Sequence, residues 1–217
     1  MKQKILYLSI LCLSLLVGCT PKETKILIIG DSISLGYTPY VKDSLATEGI
    51  IVEHNEGNAQ DSGYGLKNLE KWISKADYDI IQFNWGLWDL CYRHPESKVQ
   101  GNRDKVRGTL TYSLEDYEEH LEAIVKILQE KTDAELVFVT TTYVPEHEAG
   151  RFPEDPQKYN AVAKKVMKRH SIRVNDIYER SIPIHKQYGQ GNDNVHYWED
   201  GYKELSYIII SYLKGMN

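Results

Sequence analysis

Five short apolar runs, each separated from the next by a stretch with helical spacing, constrain this chain more than any other feature. The runs fall at 25–31, 50–55, 79–85, 135–142 and, more briefly, 172–175. Short apolar runs without alternation suit strands buried on both faces, and parallel strands must be joined by helical crossovers. Helical spacing is present at 37–48, 66–76, 114–131 and 156–170, with Ser113 and Asp155 placed to act as N-caps. A last helix is predicted from about Glu199 to Leu213, with Leu205, Ile208, Ile209 and Tyr212 forming an apolar face that can pack on the sheet. The expected class is α/β with five parallel strands.

Two connections, 86–112 and 143–155, are longer than a packed α/β domain requires, and both leave the carboxyl ends of strands. Ligands collect at that edge of an open sheet, so these loops are expected to wall a binding site. The first carries Trp88, Tyr92, Arg93, His94 and Arg103, and the second His147, Arg151 and Phe152. Solvated loops with incidental charges are the plainer alternative for any one of these residues.

The first run is followed directly by Gly30-Asp31-Ser32-Ile33-Ser34, and Asp193-Asn194-Val195-His196 precedes the last helix. A hydroxyl on a strand-to-helix turn needs a base to become a nucleophile. His196 can accept the Ser32 proton, and Asp193 can orient the imidazole and steady its positive charge. This pairing resembles the SGNH (GDSL-type) hydrolase family, in a bacterial lipoprotein form, whose first block reads G-D-S and whose last reads D-x-x-H. The resemblance covers nearly everything from Lys25 onward. It implies a three-layer α/β/α, flavodoxin-like sandwich, an ester-cleaving activity and Ser32, Asp193 and His196 as the catalytic residues.

The oxyanion hole is where the chain departs from that family. Its members often supply the serine N–H, a glycine N–H after the second strand, and an asparagine side chain in a G-x-N-D block. Here that block reads Gly86-Leu87-Trp88-Asp89, with Trp88 at the asparagine position. Asn84 offers another amide, either as a donor to substrate or as a bond to a neighbouring strand end. The second block fits the N-x-G-x-x-G pattern at Asn55 and Gly57 but places Gln60 at the last glycine; shifting the match to Asn58 leaves Gly63 near that position. A backbone N–H from somewhere between Gly57 and Gly63 is expected. A metal reading would draw on Asp31, Asp89, Asp193 and His196, but it lacks a second histidine spaced to join His196. The residues His54, His120, His170 and His185 read as surface or helix-flanking, without a role.

The amino terminus has Lys2 and Lys4, an apolar stretch from Ile5 to Leu16, and Leu16-Val17-Gly18-Cys19. That is a signal peptide over 1–18 with a lipobox-like end, in which Cys19 becomes the lipidated first residue. A short tether over 19–24 would lead to a single domain over 25–217, since no linker, repeat or low-complexity stretch divides it. Removing Lys2 and Lys4 leaves 24 basic against 31 acidic residues, a formal charge of −7 where the whole chain has −5. An acidic surface without a basic, aromatic-interleaved stretch excludes nucleic acid as a partner. With Cys12 in the signal and Cys19 acylated, Cys91 has no partner for a disulfide and is expected to be a packing residue.

The expectation is therefore a monomeric, exported serine esterase, lipid-anchored to the bacterial cell envelope and needing no cofactor. It would act on a short acyl group, most simply acetyl, of a small-molecule or glycan ester. Trp88 would crowd a longer chain, and the aromatic and polar loops suit a sugar. The alternatives are a lysophospholipase or thioesterase with the same triad, and a non-catalytic carbohydrate-binding protein on this scaffold.

Overall fold

The computed structural model describes residues 23–216. The expected signal peptide and Cys19 lie outside the described residues. The strands are β1 (Lys25–Ile29), β2 (Ile51–His54), β3 (Ile80–Phe83), β4 (Tyr92–Arg93), β5 (Thr109–Leu110), β6 (Glu135–Val139) and β7 (Arg173–Asn175). The helices are α1 (Ser32–Ala46), α2 (Ser62–Ile73), α3 (Leu114–Lys131), α4 (Asp155–Arg169), α5 (Tyr178–Tyr188) and α6 (Glu199–Lys214). The main sheet is parallel in the order β2-β1-β3-β6-β7, while β4 and β5 form a separate antiparallel pair. This is a flavodoxin-like order, and it reverses direction between β1 and β3, where open α/β sheets leave a crevice at their carboxyl edge.

The apolar runs became strands because they are covered on both faces. Ile26, Ile28 and Ile29 are fully buried, and so are Ile81 and Phe83 on the neighbouring strand. One helical layer brings α1, α5 and α6 together, and the other brings α2, α3 and α4. The contact between α1 and α6 is close because Gly36 has no side chain: a Cβ there would come within 2.1 Å of the Tyr202 ring. Helix α1 begins at Ser32 and α6 follows the loop that carries His196, so this contact fixes the helices next to both residues.

Ser113 caps α3 as expected, completing a reciprocal box with Asp116. Asp155 does not cap α4. It is the first helical residue, and its carboxylate turns along the helix to Lys158 at 2.8 Å, leaving Glu154 at the cap without a side-chain bond. Helix α1 starts at Ser32, five residues before its predicted onset, because the Asp31 carboxylate accepts the Ile33 N–H and closes the first turn directly on the strand end. Helix α5 was not read from the sequence; Pro183 lies inside it and interrupts the pattern. Cys91 is fully buried, as a packing residue would be.

Candidate active site

Strand β1 delivers Ser32 to the carboxyl edge of the sheet, and the turn carrying it is clamped. The Asn55 side chain accepts the Gly30 N–H at 2.9 Å, and the Gly30 carbonyl accepts the Ala59 N–H at 2.9 Å. Ser32 is then the first residue of a fifteen-residue helix, where backbone N–H groups have no partner within the helix and the helix dipole favours negative charge. Asp31 points inward as the cap, and burial raises its pKa above the usual carboxylate value.

His196 arrives from the opposite end of the chain. Its Nε2 lies 2.8 Å from Ser32 Oγ. The loop that carries it is folded back on itself: Gln190 N–H donates to the His196 carbonyl, and Trp198 N–H to the Tyr188 carbonyl. Val195, between the loop's polar residues, is buried in the core. Sequence order did not show that His185 holds this loop as well. Its Nε2 is 2.7 Å from the Asn194 carbonyl, and its ring is edge-on to both Tyr143 and Tyr197.

The side chain that meets His196 Nδ1 is that of Asn194, where the sequence leads one to expect Asp193. Asn194 Oδ1 accepts the His196 N–H at 3.1 Å and lies 2.7 Å from His196 Nδ1. The first contact closes an Asx-turn, and the turn brings the same oxygen beside the ring nitrogen of residue i+2. Asp193 faces solvent and makes no side-chain hydrogen bond or ion pair to a described residue. The amide orientation of Asn194 follows from its neighbours: Asn194 Nδ2 donates to Gln190 Oε1 at 3.2 Å, and Gln190 Nε2 donates to the Tyr197 carbonyl at 2.8 Å. Read from that carbonyl outward, the chain assigns an acceptor to Asn194 Oδ1, a proton to His196 Nδ1 and a lone pair to Nε2 facing Ser32. The Asn-x-His spacing, an Asx-turn signature, is the signal in the sequence that could have found it.

Ser32 and His196 open into a cavity of about 270 Å³ that Asn58, Trp88, Arg93, Arg103 and Arg151 also line. The two long loops do wall the site, though unequally. Tyr92 and Phe152 instead pack edge to face at 5.4 Å and tie the two loops together. His94 and His147 do not line the cavity. The first loop owes its shape to the β4–β5 pair, which places Arg93 over the Trp88 ring at 4.8 Å. The second is held by Glu148, fully buried, whose Oε1 accepts from Arg151 at 2.9 Å and from Arg103 at 2.5 Å while Oε2 accepts the Gly150 N–H. Arg151 Nε also donates to the Leu87 carbonyl at 2.6 Å. Glu148 had no place in the sequence reading, because nothing local distinguishes it from a surface glutamate.

The oxyanion donors named from the sequence separate clearly. Asn84 is spent on structure: its amide donates to the Val139 carbonyl at 2.7 Å, joining the ends of β3 and β6. Gly57 is exposed at the loop's outer side, its carbonyl taking the Asn55 amide, and it does not line the cavity. Trp88 does line it. Gln60, standing where the pattern wants glycine, adopts a left-handed φ of 50°, but its N–H is given to Asn58 Oδ1 at 2.7 Å. The donors left at the cavity are the helix N-terminus at Ser32, the arginines, and the Asn58 amide and Trp88 indole N–H, neither of which is hydrogen-bonded to a described residue.

Electrostatics follow from that lining. Burial, then Arg151 and Arg103, depress the His196 pKa below its ordinary 6.5, with Glu148 opposing. Beneath the site, Asp89 is fully buried and accepts both the N–H and the hydroxyl of Ser62, whose oxygen in turn takes the His120 Nδ1 proton at 2.9 Å. Desolvation lifts the Asp89 pKa to about 7. His54 and His120 are thus structural rather than surface residues; His54 Nε2 lies 2.7 Å from Ser34 Oγ. His170, paired with Glu122, stays at the helix flank as read. Among the described residues no group of three or more His, Cys, Asp or Glu is arranged to hold a metal ion.

No family model matches the chain, and no curated protein matches it. Solved structures do. A lipase/acylhydrolase from Enterococcus faecalis is 22% identical, with a TM-score of 0.70 over 89% of this chain and 96% of that one. The acetylxylan esterase Axe2 from Geobacillus stearothermophilus is 16% identical, with a TM-score of 0.67 over 87% and 93%. A GDSL-like lipase from Bacteroides thetaiotaomicron is 15% identical, with a TM-score of 0.63 over 91% of each chain. At these identities the likeness is one of fold, and it extends over nearly the whole of both chains: the architecture is one shared with these solved hydrolases.

Proposed function

We propose that this protein is a serine esterase that removes short acyl groups, most simply acetyl, from a carbohydrate ester through an acyl-enzyme. The observation that carries this reading is the 2.8 Å contact between Ser32 Oγ and a His196 whose tautomer is set from behind. Ser32 Oγ would attack the ester carbonyl as its proton passes to His196 Nε2. The tetrahedral oxyanion would lie against the Ser32 N–H and the positive helix end. His196 would return the proton to the leaving alkoxide, freeing the sugar hydroxyl. A water molecule would then repeat the sequence on the acyl-enzyme, releasing the carboxylic acid and restoring Ser32. A cavity of about 270 Å³ favours a small acyl group over the long chain of a lysophospholipid or thioester. The fold neighbours that are acetylxylan esterases support the same choice.

The decisive experiment is active-site labelling with a chain-length series. A fluorophosphonate should label Ser32 alone, Ser32→Ala should lower p-nitrophenyl acetate turnover roughly a thousandfold or more, and turnover should fall steeply beyond butyrate. Labelling that persists in Ser32→Ala would overturn the assignment. The cellular setting we propose is the bacterial envelope, with Cys19 lipidated after cleavage behind Gly18 and the enzyme working as a monomer; mass spectrometry of the mature amino terminus, with Cys19→Ala as control, tests the anchor.

A further inference from the structure

Resting on the esterase reading for its chemistry, we propose that the substrate is an O-acylated sugar acid, recognised through a carboxylate that the cavity's three arginines bind beside Ser32. The cavity is more cationic than ester cleavage requires. Arg93, Arg103 and Arg151 all line it, within a chain whose formal net charge is −5. One buried carboxylate, Glu148, serves both Arg103 and Arg151, so it offsets a single charge of the two. Among the described residues Arg93 has no carboxylate partner; it donates to the Gly101 carbonyl and lies over Trp88. Asp31, the one acid in the lining, turns its carboxylate to the Ile33 N–H of its own helix, and burial raises its pKa above the ordinary value while Arg151 opposes.

The unspent donors point the same way. Arg151 gives Nε to Leu87 and Nη1 to Glu148; Arg103 gives Nε to Gln100 and Nη1 to Glu148; Arg93 gives Nη1 to Gly101. In each case Nη2 makes no hydrogen bond to a described residue. An oxyanion in the transition state would use one or two donors, and the Ser32 helix end already supplies one. Three guanidinium edges around a small cavity match a second, permanent anion. A carboxylate is favoured over a spherical ion because a planar guanidinium meets two carboxylate oxygens in parallel. The Trp88 face, backed by Arg93, offers the sugar ring a stacking surface.

The test compares matched esters: a mono-O-acetyl methyl glucuronoside as the free acid, the same sugar as its neutral methyl ester, and an acetylated, sulfated neutral glycoside. The free acid should be hydrolysed with a kcat/KM at least tenfold above the methyl ester, the scale of one charge-assisted hydrogen bond, mostly through KM. The advantage should shrink as salt rises from 0.05 to 0.5 M, concentrations set by the assay on the order of the Debye screening range. In Arg93→Gln the ratio of acid to neutral ester should fall several-fold, whatever happens to either rate alone. Binding of the deacetylated glucuronoside and its methyl ester to Ser32→Ala, by calorimetry, reads the same preference without turnover. Equal binding and equal turnover of acid and neutral ester would overturn the proposal, as would a preference for the sulfated sugar alone. If the acid binds preferentially but nothing is hydrolysed, the carboxylate site stands and the esterase reading falls.

Discussion

At the scale of single residues, a neutral amide stands behind His196 where a carboxylate was expected, and this has measurable consequences. An amide oxygen can fix the tautomer as well as a carboxylate can, but it stabilises the imidazolium less. Asn194→Ala should therefore lower kcat by roughly tenfold to a hundredfold, while Asp193→Ala should stay within about threefold of wild type. Comparable losses in both variants would return the orienting role to Asp193. The cationic lining acts on the same histidine. Because burial and the arginines depress the His196 pKa below 6.5, the acidic limb of kcat/KM should fall below pH 6.5. Arg103→Gln removes a charge that disfavours the imidazolium, so its limb should move to higher pH; a limb that stays in place or moves to lower pH would contradict the arrangement.

At the scale of elements, Ser32 and His196 ride on parts that meet closely at Gly36. Helix α1 carries Ser32, α6 follows His196, and Gly36 lets α1 accept the Tyr202 ring of α6. A methyl at Gly36 must displace that ring or separate the helices, since packed interiors absorb little extra volume. Gly36→Ala is expected to destabilise the fold by about 1–3 kcal/mol and to lower esterase activity more than a matched loss of stability explains. Pairing it with Tyr202→Ala should recover part of both, read as thermal midpoint and kcat in a double-mutant cycle. Additive losses would mean that the two residues do not meet.

At the scale of the molecule, the domain hides an acid that works against stability in neutral solution. Asp89 has a folded-state pKa near 7, above its unfolded value of about 3.8, so the folded protein binds more protons than the unfolded one between those values. Its contribution to stability falls as pH rises from 4 through 7 and is least above 7. Other carboxylates shift the opposite way; Glu122 and Asp176 are held below their usual range once hydrogen bonds and neighbouring cations outweigh their burial. The clean measurement is therefore the difference from Asp89→Asn, which keeps an acceptor for Ser62 but cannot ionise. Relative to wild type, that variant should gain midpoint temperature steadily as pH is raised from 5 to 8; a constant offset would mean that Asp89 does not titrate in this range.

The parallel α/β fold was legible because its signal is local and physical. A strand buried on two faces has to be apolar along its length, as 26–29 is, and helices that cover it have to repeat every three to four residues, as 114–131 does. Ser32 and His196 were legible because each lies at a boundary such a pattern defines, at the end of the first strand and before the last helix. What lies across the cavity was not legible. Whether His196 Nδ1 meets Asp193 or Asn194 depends on the turn's dihedral angles, and whether Asn84 faces substrate or Val139 depends on the register of two strands. Glu148 draws in Arg103, forty-five residues away in sequence, and His185 reaches the Asn194 carbonyl, because loops packed on one sheet edge leave buried polar atoms that must find partners there. Periodicity along a chain records which face of an element is buried; which side chains meet across a cavity is set by where the packed elements finally come to rest.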